Sequence, residues 1–312
     1  MKRRIQWDRR DRGIALLLVL VAVLALSLIA AGLYESTQAS WEESTLSRAR
    51  YQAGLLAESG LAVAMHPQIA PGDAALRHEL APGRSWEVRI TSEGGRLPVN
   101  ELTSERMRST AVELFVLWGL DAAAASRAAD SLADWIDEDS DALSNGAENA
   151  HYASLDYPHF PPNAPFTSLE QLPFVTGMDE IEKFQPFWRD HFTIQSDGLI
   201  DLNAAPAELI QALTGATADA AAHLVAVRNG DDGIAGTIDD VVFSDEGEVQ
   251  ALLGMSQAEW SEITSLVTLA GTVRRIESKG KVGDRTETRV ILAEETTQDG
   301  NTVLRPLVRF RE

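Results

Sequence analysis

The chain has 312 residues, a formal charge of −20 and no cysteine. That length supports a substantial core and more than one domain, and the absence of cysteine excludes disulfides, thiolate catalysis and cysteine-based metal sites. The first 13 residues carry +4, so everything from Ile14 onward carries −24, which repels phosphate backbones and makes nucleic acid a poor partner. The first element is apolar. Ile14 to Ala31 holds no charge, with Ser27 its one polar side chain, and the run extends through Leu33 to 20 residues. A helix of that length spans about 30 Å, the hydrocarbon thickness of a bilayer. The basic residues lie before it, so the positive-inside bias places the head in the cytoplasm and the body outside. The run can be a signal anchor, or a secretory signal peptide with a small-residue cut site in LSLIAAG. The short basic head ends in Gly13 directly against the apolar residues, with no polar spacer between them.

The next stretch, YESTQASWEESTLSRARYQAGLLAESGLAVAM (34–65), has no proline and many good helix formers, predicting one helix from Ile14 to about Met65. SWEVRITSEGGRLPVN (85–100) reads as a strand, a Gly-Gly turn and a short extended piece. From Glu101 to Leu269 the pattern is almost wholly helical: SERMRSTAVELFVLWGL spaces its apolar residues at helical period with Ser104 as cap, and DAAAASRAADSLADWI follows Gly119. GTVRRIES, DRTETRVILAEET and TVLRPLVRFRE then alternate apolar and polar residues as half-buried strands do.

The basic head, Gly13 and the apolar run resemble a type IV prepilin or pseudopilin. The resemblance implies cleavage by a prepilin peptidase after Gly13, N-methylation of Ile14, and retention of the helix as membrane anchor. One departure stands out: most such chains carry Glu at mature position five, and here that position is Leu18. The layout of helix, strand, large helical block and strands resembles general secretion pathway protein K, the large minor pseudopilin of type II secretion. The stretches that carry this are AGLLAESGLAVA (53–64), GGRLPVNEL (94–102), LADWIDEDSDALSNGAENAHY (132–152), NAPFTSLEQLPFVTGM (163–178) and GLIDLNAAPAELIQAL (198–213). The resemblance implies an α+β, pilin-like fold: a long N-terminal helix on a small antiparallel sheet, with a large all-α domain inserted in the sheet. The expected organisation is a cytoplasmic leader (1–13), a membrane segment (14–33), the first part of the pilin-like domain (34–100), the inserted domain (101–270) and the C-terminal strands (271–312).

Within the block, LPFVTGM, LIQALTGATADAAAHLV and VQALLGMSQAEWSEITSLV each place a glycine turn, at Gly177, Gly215 or Gly254, between apolar segments. This is helix-hairpin-helix-like packing; the turns lack flanking Lys or Arg, so they read as packing modules and not as DNA contacts. DEDSDALSNGAE places Asp137, Asp139, Asp141 and Glu148 at loop positions 1, 3, 5 and 12, the carboxylate spacing of an EF-hand calcium loop. Ala142 occupies the usual glycine position, and no clear helix follows Glu148. A second candidate calcium loop, NGDDGIAGTIDD (229–240), offers Asp231, Asp232, Asp239 and Asp240 among three glycines. Resemblance to calcium-binding K proteins favours Ca²⁺ as the cofactor.

No enzyme constellation emerges. His151 and His159 lack metal-ligand spacing, and there is no phosphate-binding glycine loop, G-x-S-x-G or nucleophile with an evident base. Trp135, Tyr152, Tyr157, Phe160, Phe166, Phe174, Phe184, Phe187 and Trp188 read as core. The expected role is a non-enzymatic, single-pass inner-membrane pseudopilin with a periplasmic body. Its expected partners are the other minor pseudopilins at the pseudopilus tip, the prepilin peptidase and the membrane. The alternatives are a membrane-anchored calcium-dependent binding protein or a minor type IV pilin.

Overall fold

The structure, a computed structural model, describes residues 9–298 and 300–311; the first eight residues of the expected leader lie outside them. Helix α1 (Arg9–Ala64) is unbroken over 56 residues, about 84 Å at helical rise. No proline interrupts the sequence before Pro67. The helix begins ahead of Ile14, so Gly13 lies inside helical backbone and not at an element boundary. Its stretch Leu16–Tyr34 is long and apolar enough to cross a membrane, with mean hydropathy 3.0 and nothing of the chain packed over it.

After α1 come β1 (Arg77–Ala81), β2 (Arg84–Ser92) and the short β3 (Leu97–Pro98). The helical block follows with α2 (Glu105–Leu117), α3 (Ala122–Ile136), α4 (Asn149–Ser154) and α5 (Met178–Phe184). Two short strands, β4 (Phe192–Thr193) and β5 (Ile200–Asp201), precede α6 (Ala207–Thr214), α7 (Ala218–Arg228), α8 (Glu246–Leu253) and α9 (Gln257–Ile263). The chain then returns through β6 (Val267–Thr268) to β7 (Val273–Val282), β8 (Arg285–Gln298) and β9 (Asn301–Arg311).

The main sheet has the order β1-β2-β7-β8-β9, antiparallel throughout. β2 and β7 pair continuously from Arg84↔Val282 to Ser92↔Arg274, so the whole helical block is inserted between two neighbouring strands. Within the block, β3 pairs with β4 and β5 with β6, both parallel, closing the chain entry and exit.

Small residues set how α1 meets the sheet. Ala53, Ala57, Leu61 and Ala64 form its buried stripe at helical spacing. A Cβ at Gly280 of β7 would come within 2.0 Å of the Ala53 carbonyl oxygen, and one at Gly60 within 2.4 Å of Ser278 Oγ. At Gly280 backbone lies directly on the α1 backbone, at Gly60 the α1 backbone lies against the Ser278, Val88 and Trp86 side chains, and neither position has room for a side chain. These contacts also fix direction: as α1 advances from Ala53 to Gly60, its neighbour on β7 moves from Gly280 to Ser278, toward the junction with the block. The membrane-length half of α1 points away from that junction, and the block caps the opposite end. Under the sheet, Leu61, Val88, Ile90, Ile276 and Ile291 form one small core.

The block has a separate, larger core around Trp135, Trp188, Tyr152, Phe115, Phe192 and Phe243. Asp121 caps α3, accepting from the Ala123 and Ala124 amides at 3.0 Å. Ser104 precedes α2 without a side-chain cap bond. Gly215 and Gly254 end α6 and α8 in left-handed conformation (φ +71° and +68°), the expected hairpin turns, whereas Gly177 (φ +92°) stands at the start of α5.

Three expectations need correction. The block is less helical than its alanine content suggests, because 137–148, 155–168 and 229–245 follow irregular paths shaped by Asp, Asn, Pro and Gly. A helix does follow Glu148: α4 starts at Asn149 with Glu148 as its N-cap. Of the aromatic set, Trp135, Tyr152, Phe166 and Trp188 are buried, but Tyr157, Phe174, Phe184 and Phe187 are exposed. Composition alone does not separate core aromatics from surface ones.

Candidate metal centre

The last turn of α3 and the first of α4 bring three carboxylates together. Asp134 lies on α3 and Asp137 ends it, three residues on and so on the same face. Glu148 comes from the far end of the loop 137–148. One oxygen from each lies within 4.8 Å of the others, and among the described residues this is the one such group of three or more. Asp134 and Glu148 are buried and Asp137 half-buried.

The loop is folded around these groups. Asp134 accepts the Leu143 amide at 3.2 Å. Asp130, one turn earlier, accepts the backbone and side-chain nitrogens of Asn145 at 3.2 and 3.0 Å, and is itself paired with Arg108 at 3.3 Å. Asn163 donates to the Asp139 carbonyl oxygen. A Cβ on Gly146 would come within 1.9 Å of Asp134 Oδ2, so only glycine lets the loop pass. Behind the carboxylates, Trp135 stacks on Phe166 with ring centres 5.8 Å apart and meets Tyr152 edge-on at 5.7 Å, forming an apolar wall.

Two oxygens of this group, Asp137 Oδ1 and Glu148 Oε1, are buried without a hydrogen-bond partner. Burial pushes the Glu148 carboxyl up to about 7, helped by the charges of Asp134, Asp137 and Asp139. Burial likewise pushes Asp134 up to about 6, and burial plus the neighbouring Asp139 raises Asp137. Oxygen-only donors, mutual repulsion and orphaned acceptors fit a hard divalent cation.

Of the four residues expected from spacing, the structure brings Asp137 and Glu148 together. Asp139 and Asp141 are exposed and outside the group, with Asp139 Oδ1 accepting the Asp141 amide at 2.8 Å. Asp134 was missed because it precedes the loop; its signal was the three-residue helical spacing to Asp137. In the second candidate loop the carboxylates are turned to the loop's own donors. Asp232 accepts from Ile234 (2.7 Å), Asp239 from Asp232 (3.1 Å) and Thr237 (2.7 Å), and Asp240 from Gly236 (2.6 Å). Asp231 is exposed.

The raised carboxyls predict a pH dependence. Their ordinary values are about 3.9 for Asp and 4.3 for Glu. Between those values and about 6 for Asp134 and about 7 for Glu148, the folded chain binds more protons than the unfolded one. The contribution of these carboxyls to stability without metal is therefore highest in acid and falls as pH rises through 7. Melting temperatures in chelator from pH 5 to 8 should decline, and Glu148→Gln, which cannot ionise, should decline less.

Residues 95–187, which contain all three carboxylates, match the family model described as Type II secretion system (T2SS), protein K. The Type II secretion system protein K of Dickeya chrysanthemi is 27% identical over 229 residues, covering 55% of this chain. Both similarities are to the type II secretion system protein K family. It spans 63% of the length of that Dickeya relative. A chain in the crystal structure of the GspK-GspI-GspJ complex from the enterotoxigenic Escherichia coli Type 2 Secretion System superposes with a TM-score of 0.58 at 16% identity. The match covers 88% of this chain and 99% of that one, a likeness of fold. The fold seen here is thus pilin-like, with the helical domain inserted in its sheet.

Proposed function

We propose that the chain is a minor pseudopilin of a type II secretion system and has no catalytic role. Leu16–Tyr34 anchors it in the inner membrane with the body in the periplasm, and it forms the tip of the pseudopilus with other minor pseudopilins. The observation that carries this is the single helix α1, membrane-length at one end and laid on a sheet at the other, with a helical block capping the sheet end. Asp134, Asp137 and Glu148 hold Ca²⁺ in the block. The bound cation neutralises three buried carboxylates and ties α3 to α4, a structural role with no chemistry on a substrate.

The direct test is capture of the tagged full chain from detergent-solubilised membranes. Co-purification of the other minor pseudopilins supports the proposal; type IV pilus subunits instead, or no pilin-like partner, would sink it. Processing is a second measurement. N-terminal mass analysis should show a chain starting at Ile14 with a methylated amine, and Gly13→Val should retain the leader while still inserting. A start near Gly32 would mean ordinary signal-peptide cleavage.

A further inference from the structure

The loop 229–240 leaves α7 and crosses from the helical block to the sheet before the chain enters α8. It meets the frame twice, each time through backbone. Gly236 lies on β2, where a Cβ would come within 2.8 Å of Arg89 Cγ and 3.0 Å of the Ile90 carbonyl oxygen. The Ile238 backbone lies on the turn that follows α1: a Cβ on Gly72 would come within 2.6 Å of both its N and its Cα. Both glycines are left-handed, with φ +84° and +76°. The Ile238 side chain is 86% exposed, so apolar packing does not make this contact.

Contact through backbone depends on loop shape, and the loop's own carboxylates set that shape. Asp232 holds the Ile234 amide, Asp239 the Asp232 amide and the Thr237 hydroxyl, and Asp240 the Gly236 amide. The Val241 amide donates to the Arg228 carbonyl at 2.8 Å, closing the base of the loop on α7. Gly230 is also required, since a Cβ there would meet the Asp239 carbonyl oxygen at 2.5 Å.

Beneath this loop, between block and sheet, lies a cavity of about 680 Å³, with Ile90, Arg96, His191, Asp201 and Arg275 among its lining and Gly236 in one wall. Across it the block joins the frame where the chain passes out and back, at 93–98 and 268–273. There Glu93 is buried against Arg96 at 2.6 Å and Arg275 at 3.6 Å. A close-packed interface resists tilting by its own incompressibility. A hollow one fixed along one side resists it only if the opposite side is tied.

We propose that the loop 229–240 is a strap that fixes the tilt of the helical block on the sheet. It ties the open side of a hollow junction, so that block and frame move as one body. Released, the block pivots on the two chain crossings and the cavity opens. This holds whichever partners the chain has.

The chain has no native cysteine, so Glu113→Cys on α2 and Thr286→Cys on β8, both exposed, give unique spin-label positions on block and frame. Electron–electron distance measurements on the full chain in detergent should give one narrow distribution. Gly236→Val, Gly72→Val and the pair Asp239→Ala with Asp240→Ala attack the strap from its tip, from the frame side and from its internal bonds. Each should broaden the distribution, and hydrogen exchange at 70–72 and 88–92 should quicken about tenfold while α2 and α3 stay protected. A variant that loses protection in α2 and α3 has unfolded, and the other two then decide. Narrow distances in all folded variants, or fast exchange confined to the mutated segment, would overturn the strap.

Discussion

Millimolar Ca²⁺ is expected to raise the melting temperature of the full chain in detergent by about 5–10 °C at pH 7.5 relative to chelator. A site filled at a hundred times its Kd stabilises by about 2.7 kcal/mol, and each kcal/mol moves a domain of this size by about 2–4 °C. The physical source is relief of repulsion: without a cation, Asp134, Asp137 and Glu148 crowd together with two oxygens unbonded. That origin makes the mutational signs unusual. Glu148→Gln should melt higher than the parent in chelator, because one buried charge is gone, and should gain much less from Ca²⁺. Asp139→Asn with Asp141→Asn should leave the calcium response nearly intact, since both side chains are exposed and outside the group. The EF-hand spacing predicts the reverse for that pair. A melting curve indifferent to Ca²⁺ would remove the cation, and a response lost in the Asp139/Asp141 variant would move it outward along the loop.

What was legible in the sequence depended on how local the cause was. The long α1 follows from a proline-free run, and the C-terminal strands from period-two alternation, both properties of neighbours in sequence. The sheet insertion was legible only through resemblance, because nothing in β2 alone says that its partner lies about 180 residues on, at Ile276 opposite Ile90. The metal group shows the same limit. A loop template counts forward from Asp137, whereas Asp134 enters the site because α3 turns it inward one turn earlier. Asp139 and Asp141 match the template but face solvent, since the loop folds inward through Leu143 and Gly146 instead. Charge, too, is unevenly distributed along the chain. The −24 assigned to everything after the leader belongs to residues 101–270, with 30 acidic against 6 basic side chains, and the α1 and sheet frame is near neutral. The strap was present in the sequence as a Gly/Asp-rich loop, but its partners Gly72 and Ile90 are too far away in sequence to signal it.

Copy number is the last expected result: cysteines placed along α1 should crosslink this chain to other pseudopilins in secreting cells and give no detectable self-crosslinks. Two features argue for it. Every side chain described in Leu16–Tyr34 is uncovered by the rest of the chain, so lipid or other helices must cover it. A neighbour that placed a cationic group at that depth would need a carboxylate to pair with, and Leu18, 62% exposed on the isolated helix, cannot supply one. At the other end, the helical block spans residues 101–270 and caps the sheet end of α1, where a subunit stacked above would have to sit. Lateral contact along α1 remains open, while axial repetition is obstructed. Leu18→Glu separates the two causes. If the block is what prevents stacking, that variant still shows no self-crosslinks; if the missing carboxylate is, they appear. Abundant self-crosslinks in the parent chain, with secretion intact, would mean that neither feature limits it to a single copy and that the chain is a repeating subunit of the filament.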